Sequence, residues 1–475
     1  MSEAQAANIN AVPVKDVKAF EALKSGFVDY TYFEDTPAAR SAERNAFINN
    51  SEYVPQYDYP KLDFMIDSTS LPQKKHDILE AVMELEAAKD GGDTTERAEY
   101  ELYASYHEIR LKKIMLVEAA HNLHSTINNS SMETNRDAFN ELGEAAYGPI
   151  DARYFRGMID TEQRRLKGFV PENDAIATIA MELETAISSI DTDGDEEKEL
   201  LDEQSLAVIH TYVLEKYADV LAVVPDTDDD TYYNAEECAA IMNQALAATT
   251  DLAERGWRVV IDPQKANPST GQMMISLPGD TRRTANELRR LIIHEQEVHA
   301  RRARNGANSE VTILRTGSAD YADVEEGLGV LLECAVAGTL DNPSFNRARD
   351  RYITAGLAKG VDGAERDSRE VFEILWRMIA VRENDGNIDA AKLLAYKHVD
   401  NAYRGTQFWM KGVVYPKLKV YYEGLAKNAE FFTQHIDDLD AAFDRALLGK
   451  YNHTSQKEFD QVTTLMGRGA GHVAS

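Results

Sequence analysis

The chain has 475 residues, and 81 acidic against 51 basic side chains give it a formal net charge of −30. The length allows a large core and two or three domains. The charge repels nucleic acid and anionic membrane surfaces, and no apolar run is long enough to span a bilayer, so the class is soluble and globular.

Residues 1–45 are polar and Ala-rich and read as a partly disordered lead-in. Met1-Ser-Glu-Ala-Gln-Ala-Ala-Asn lacks the basic start and apolar stretch of a secretion signal. Two cysteines, Cys238 and Cys334, leave room for one disulfide but not for a disulfide framework. Together these features point to a reducing cytoplasm. Phe47 to Asp67 is rich in Tyr and Pro and reads as an extended arm over a helical body.

Helical patterns then dominate. Gln73 to Lys89 and Thr95 to Ser125 are split by Asp90-Gly-Gly-Asp93. A third helix is expected from Pro171 to Ile190, with Ile176, Ile179, Leu183 and Ile187 at helical spacing and Pro171 suiting a first turn. Asp202 to Ala222 and Tyr232 to Arg255 follow. Asp191-Thr-Asp-Gly-Asp195 is a poor calcium loop, because its glycine falls at the fourth position instead of the sixth. His121 and His124 read as surface or packing residues, and His210 as a satisfied core residue.

Trp257 to Ile261 and Gln272 to Leu277 are the clearest strands, joined by a loop rich in Pro, Asn, Ser and Gly. Gln272 to Leu277 is the candidate sheet edge, where an extended peptide adds as a strand. Residues 46–450 read as one domain, with a helical part over 46–225 and a second part over 226–450. Residues 451–475 read as a flexible tail.

The chemistry concentrates in Leu288-Arg-Arg-Leu-Ile-Ile-His294-Glu295-Gln-Glu-Val-His299. Thr284 and Glu287 form a capping box, and Asn305-Gly306 a stop, so both histidines fall well inside one helix. Two histidines with an adjacent glutamate are how many zinc hydrolases hold a metal and supply a base. Residues five apart on an α-helix diverge by about 140°, so a shared ion requires a local π-bulge. Arg282, Arg283, Arg289, Arg290, Arg301, Arg302 and Arg304 flank the segment and read as a solvated helix face. A third ligand is expected from Tyr321-Ala-Asp-Val-Glu325-Glu326-Gly-Leu-Gly329. Glu326 is the first choice and Glu325 the second, while Glu333, two turns beyond Glu326, suits a supporting position. Alternatively, Asp323 and Glu326 merely form a helix cap.

H-E-x-x-x-H followed by E-E-G-L resembles the microtubule-associated tyrosine carboxypeptidases and their bacterial relatives. Phe139 to Tyr147-Gly148-Pro149, Ala402-Tyr-Arg404-Gly405, and Phe408-Trp-Met-Lys411-Gly-Val-Val-Tyr415 through Gly424 are similar to further short elements of that family. The resemblance spans roughly residues 45 to 445. It implies an α+β, predominantly helical protein with a zincin-like catalytic core and a small sheet beside the H-E-x-x-x-H helix. It further implies a Zn²⁺ site of His294, His299 and Glu326, with Glu295 as catalytic glutamate. One departure is Gly329, where the family usually has alanine.

A carboxypeptidase of this kind takes a peptide or protein C-terminus. Arg404, whose planar fork matches a carboxylate, is the leading candidate to hold it, with Lys411 second. Tyr415 is a candidate donor to the developing oxyanion. The competing readings are an endo- or aminopeptidase on the same residues, and a non-catalytic helical interaction protein with a vestigial metal site.

Overall fold

A computed structural model describes residues 29–62, 70–89, 91–125, 131–190, 192, 200–228, 230–265, 267–271, 273–309 and 311–472. The first 28 residues of the expected lead-in, nearly all of the calcium-like loop and Gln272 lie outside the described residues. From residue 29 the lead-in contributes a 3₁₀ turn, Asp29–Phe33, and helix α1, Pro37–Asn49, whose N-cap Thr36 accepts the amide of Ala39.

Helices α2 (Ser70–Lys89) and α3 (Thr94–Ser125) follow, Asp93 accepting the amides of Thr95 and Glu96 at the second start. Next come α4 (Met132–Tyr147) and α5 (Ala152–Lys167). The apolar stripes predicted around Ile176 and Leu206 form α6 (Asp174–Ile187) and α7 (Glu203–Lys216). Asn173 and Asp202 cap these two, so Pro171 stands ahead of the first turn instead of within it. Helix α8 (Ala235–Ala248) starts on an Asn234/Glu237 capping box.

The sheet has three strands, β1 (Arg258–Ile261), β2 (Ser269–Gly271) and β3 (Met274–Leu277), in the order β1-β3-β2. β1 runs parallel and β2 antiparallel to β3. The expectation of a free edge at residues 272–277 is therefore corrected: β3 has a partner on each side. The loop between the two expected strands itself supplies β2, which turns back into β3 through Met273 at a φ of 59°.

The capping box of Thr284 and Glu287 opens α9 (Ala285–Ile292). A π-helix continues over Ile293–Ala300, and α10 (Arg301–Asn308) completes the rod. Beyond it lie α11 (Tyr321–Ala337), α12 (Pro343–Lys359), α13 (Ser368–Glu383), α14 (Ile388–Ala402), a 3₁₀ turn at Pro416–Lys419, α15 (Val420–Gln434) and α16 (Leu439–Leu447). The segment expected as a flexible tail carries α17 (Gln456–His472). Its Phe459, Val462 and Leu465 recur every three residues and pack with Leu85, Tyr103 and the fully buried Tyr451.

Two hydrophobic clusters meet at the His-Glu rod. Ile293 and Val298 belong to the large helical core, which includes Leu328, Leu331, Leu332 and Ala335 of α11. Leu288, Ile292 and Ala300 belong to a smaller core with Ile275 and Leu277 of the sheet. The rod is thus held on two sides, which fixes its rotation about its own axis. Helix α11 meets α15 at two glycines: a Cβ on Gly327 would stand 1.9 Å from the carbonyl carbon of Gly424. Both cysteines are free and buried. No described helix is long and apolar enough to cross a membrane.

Candidate functional site

The widened turn that the His294–His299 spacing requires is present as the π-helix Ile293–Ala300. It brings the two imidazoles to a centroid separation of 4.9 Å. Glu326 reaches the same point from the second turn of α11, its Oε2 lying 3.8 Å from Nε2 of His294. One ligand-type atom from each of His294, His299 and Glu326 lies within 4.8 Å of the others.

Each imidazole is oriented from behind by a carboxylate on α11. Nδ1 of His294 donates to Oε1 of Glu333 at 2.6 Å, and Nδ1 of His299 donates to Oε1 of Glu325 at 2.9 Å. These bonds favour the tautomer whose Nε2 lone pair is free. Glu325 therefore stands behind His299, and Glu326 alone of the adjacent pair turns to the shared point. Glu333 in turn accepts the hydroxyl of Ser344, which Arg347 contacts at 2.9 Å. Glu325 also faces Nη1 of Arg302 and Nζ of Lys450, each at 3.3 Å.

Glu295, next to His294 on the rod, is buried, and its charge acts on the His294 imidazole. Its Oε2 accepts the hydroxyl of Thr270, on β2, at 2.5 Å. The intervening residues serve the scaffold. The side-chain amide of Gln296 donates to the Met242 carbonyl at 2.7 Å, and Glu297 pairs with Arg301 at 2.8 Å.

The buried groups of the cluster shift one another's protonation. Burial lowers the His294 pKa, but the hydrogen bonds to Glu326 and Glu333 and the charges of Glu333 and Glu295 outweigh it and raise the net value well above the usual range. Burial raises Glu326, yet the two imidazoles hold it at about 2. Three carboxylates gathered on one imidazole leave an excess of negative charge that a metal ion offsets. A tetrahedral set of His nitrogens and a carboxylate oxygen at zinc bond lengths needs donor separations of ~3.4 Å. The 3.8 Å between His294 and Glu326 is within a small side-chain adjustment of that value. The donor set, its spacing and its backing carboxylates therefore fit such an ion.

A family model described as microtubule-associated tyrosine carboxypeptidase matches residues 194–469, more than half of the chain. The chain belongs to this family. No curated protein and no solved structure matches it. The match to the microtubule-associated tyrosine carboxypeptidase family takes in the sheet, the His-Glu rod, α11 and the segments bearing Arg404 and Tyr415. It is a family of carboxypeptidase-like proteins, which excludes nothing in the geometry above.

The remaining expected residues stand outside the cluster of His294, His299 and Glu326. Arg404, just beyond α14, donates to Asn401. Lys411 is half-exposed and pairs with Glu370 at 2.5 Å. Tyr415 is buried, and its hydroxyl lies 2.8 Å from Asp29 and 3.2 Å from the Tyr147 hydroxyl. His124 contacts Gln407 at 2.8 Å and packs edge-on to Tyr59, and His210 bonds the Ala335 carbonyl at 2.6 Å, both packing roles. The arginine-rich flank is only partly a solvated face: Arg302 is fully buried and donates to the carbonyls of Gly449 and Tyr451.

Sequence reasoning missed Thr270, because a threonine in a Ser/Gly-rich loop carries no signal until that loop is seen to be a strand. It also missed Lys417, whose ammonium sits among the charges of Asp29, Lys113, Glu326 and Arg404.

Proposed function

We propose that this protein is a zinc-dependent metallopeptidase with a zincin-like centre, removing a residue from the C-terminus of a peptide or protein. The observation that carries this reading is the convergence of His294, His299 and Glu326 across a π-widened turn, with the adjacent Glu295 pointing to the β2 side. His294, His299 and Glu326 would hold the ion, three protein ligands being the usual number for a catalytic zinc. A zinc ion there supplies Lewis acidity and brings the pKa of water towards neutrality.

The protein's own groups do the rest. Glu295, held by the Thr270 hydroxyl, takes the proton of the attacking water and passes it to the leaving amine. Glu325 and Glu333 keep the imidazoles in the required tautomer and orientation. Arg404 and Tyr415 would read the terminal carboxylate; Lys411, turned to solvent against Glu370, is the weaker choice. The net charge of −30 disfavours strongly acidic tails as substrates.

The test is metal analysis beside digestion of a C-terminal peptide library, comparing wild type with Glu295→Gln. The reading expects one zinc per chain in both proteins and loss of single terminal residues with wild type alone. Internal cleavage, or equal digestion by the two proteins, would overturn it.

A further inference from the structure

Separate segments of the chain converge on one buried carboxylate. Tyr147 ends α4, Arg404-Gly405 follows α14, and Tyr415 precedes the 3₁₀ turn Pro416–Lys419. The residue they gather around is Asp29, which is 4 % exposed. Its Oδ2 accepts the hydroxyls of both Tyr147 and Tyr415, the latter at 2.8 Å. Phe33, one turn further on, stands edge-on to the Tyr415 ring at 5.3 Å. It also fills the space over Gly405, where a Cβ would meet its ring at 2.7 Å.

The chain links this corner to the metal-side residues. The turn after Tyr415 runs into α15, whose Gly424 packs against Gly327, the neighbour of Glu326. Lys417, in the turn that follows Tyr415, feels the charges of both Asp29 and Glu326. Two hydroxyl donors, a guanidinium and an ammonium make a donor-rich, positively charged corner of the kind that takes a carboxylate out of water.

We propose that Tyr147, Tyr415, Arg404 and Lys417 form the pocket for the substrate's terminal carboxylate, and that Asp29 occupies it as an intramolecular plug. The inference rests on the carboxypeptidase reading and adds a regulation of the same site. Residues 29–33 stand in for the end of a peptide: Asp29 supplies the carboxylate and Phe33 covers the flank. An incoming C-terminus must displace them, so its apparent affinity is reduced by the fraction of molecules in which the pocket is open. Because the plug is tethered, it competes at a high effective concentration.

The experiment uses the full chain with zinc, comparing wild type, Asp29→Ala and Asp29→Asn on peptides ending in a free carboxylate or an amide. The expected result is a KM lowered by about tenfold or more in Asp29→Ala for free-carboxylate peptides only, with kcat unchanged. Asp29→Asn should lower it in the same direction. A KM unchanged or raised, or an equal gain for amidated peptides, would overturn the plug. The same variants in a Glu295→Gln background are titrated with a fluorescent peptide, so that binding is read without hydrolysis. If no protein cleaves any peptide, the carboxypeptidase reading falls, and tighter binding of free-carboxylate peptide by Asp29→Ala still decides for the pocket. Loss of cooperative melting in both Asp29 variants would make Asp29 a structural strut and would also overturn the plug.

Discussion

Gly329 lies directly beneath the His294 imidazole: a Cβ built on it would stand 2.5 Å from Cε1 of the ring. The methyl group of Gly329→Ala must therefore displace the ring, against its bond to Glu333. Zinc affinity should fall by about 10–100-fold, the usual effect of misorienting a ligand. Competition with a chromogenic chelator measures it. Unchanged affinity would mean that the imidazole does not have to sit where it does in order to bind.

The two backing carboxylates should differ in what their loss costs. Glu325→Gln removes the counter-charge of Arg302 and Lys450, and Arg302 is fully buried. Leaving a buried charge without its partner costs about 3–5 kcal/mol. Glu333→Gln keeps a hydrogen-bonding group beside the His294 imidazole and Ser344, and should cost about 1–3 kcal/mol. Thermal and urea denaturation of the two variants should rank them in that order.

The grip of Thr270 on Glu295 predicts a graded loss of activity. Glu295→Gln should lower kcat by about 10²–10⁴-fold, the span of a lost acid–base group. Thr270→Val removes one hydrogen bond to a charged group, worth about 1.5–3 kcal/mol, and so should lower kcat by roughly 10–100-fold. Zinc content should stay the same in both, which separates a defect in proton handling from one in metal binding.

Stripping the metal should lower the melting temperature, since an ion that binds only the folded chain stabilises it by mass action. Adding zinc back should restore the transition in proportion to the logarithm of its concentration. In His294→Ala the chelator should produce no shift.

Stability should also fall in acid through a group remote from the site. His398 is 1 % exposed, and burial lowers its pKa to about 3, with Arg351, Lys397 and Arg382 adding to that effect and Asp350 opposing it. A folded value below the unfolded value of about 6.5 means that the unfolded chain takes up the proton first. The contribution is complete above about pH 6.5 and is lost towards about pH 3, at about 1.4 kcal/mol per pH unit. His398→Phe should flatten the fall of the urea midpoint between about pH 6 and pH 4. An equal slope in both proteins would refute it.

What could be read in the sequence followed from strict local rules. The capping box of Thr284 and Glu287, the stripes of α6 and α7, and the need for a π turn between His294 and His299 all depend on spacing along one segment. The third residue of the cluster depended on spacing too, because Glu325 differs from Glu326 by about 100° in phase on α11, while Glu333 returns to the Glu326 face two turns on. The misreadings have non-local causes. β2 exists only because β3 offers it an edge, so its three residues, Ser-Thr-Gly, show no strand pattern alone. Helix α17 is weak by composition near its glycines and is held by apolar partners some 360 residues away, as the Gln461–Glu101 bond also shows. The Asp29 corner draws on four distant segments, and no window of sequence contains it.

The His-Glu rod spends one residue more than an α-helix needs to face two imidazoles together, and that surplus sets the phase of all that follows. Shortening the stretch by any one of residues 296–298 would rewind it as an α-helix with its histidines four apart. It would also swing Arg302 by about 100°, away from the Gly449 and Tyr451 carbonyls it now binds. The extra residue and the anchoring of the chain near residue 450 are therefore interlocked, so that deleting the one undoes the other.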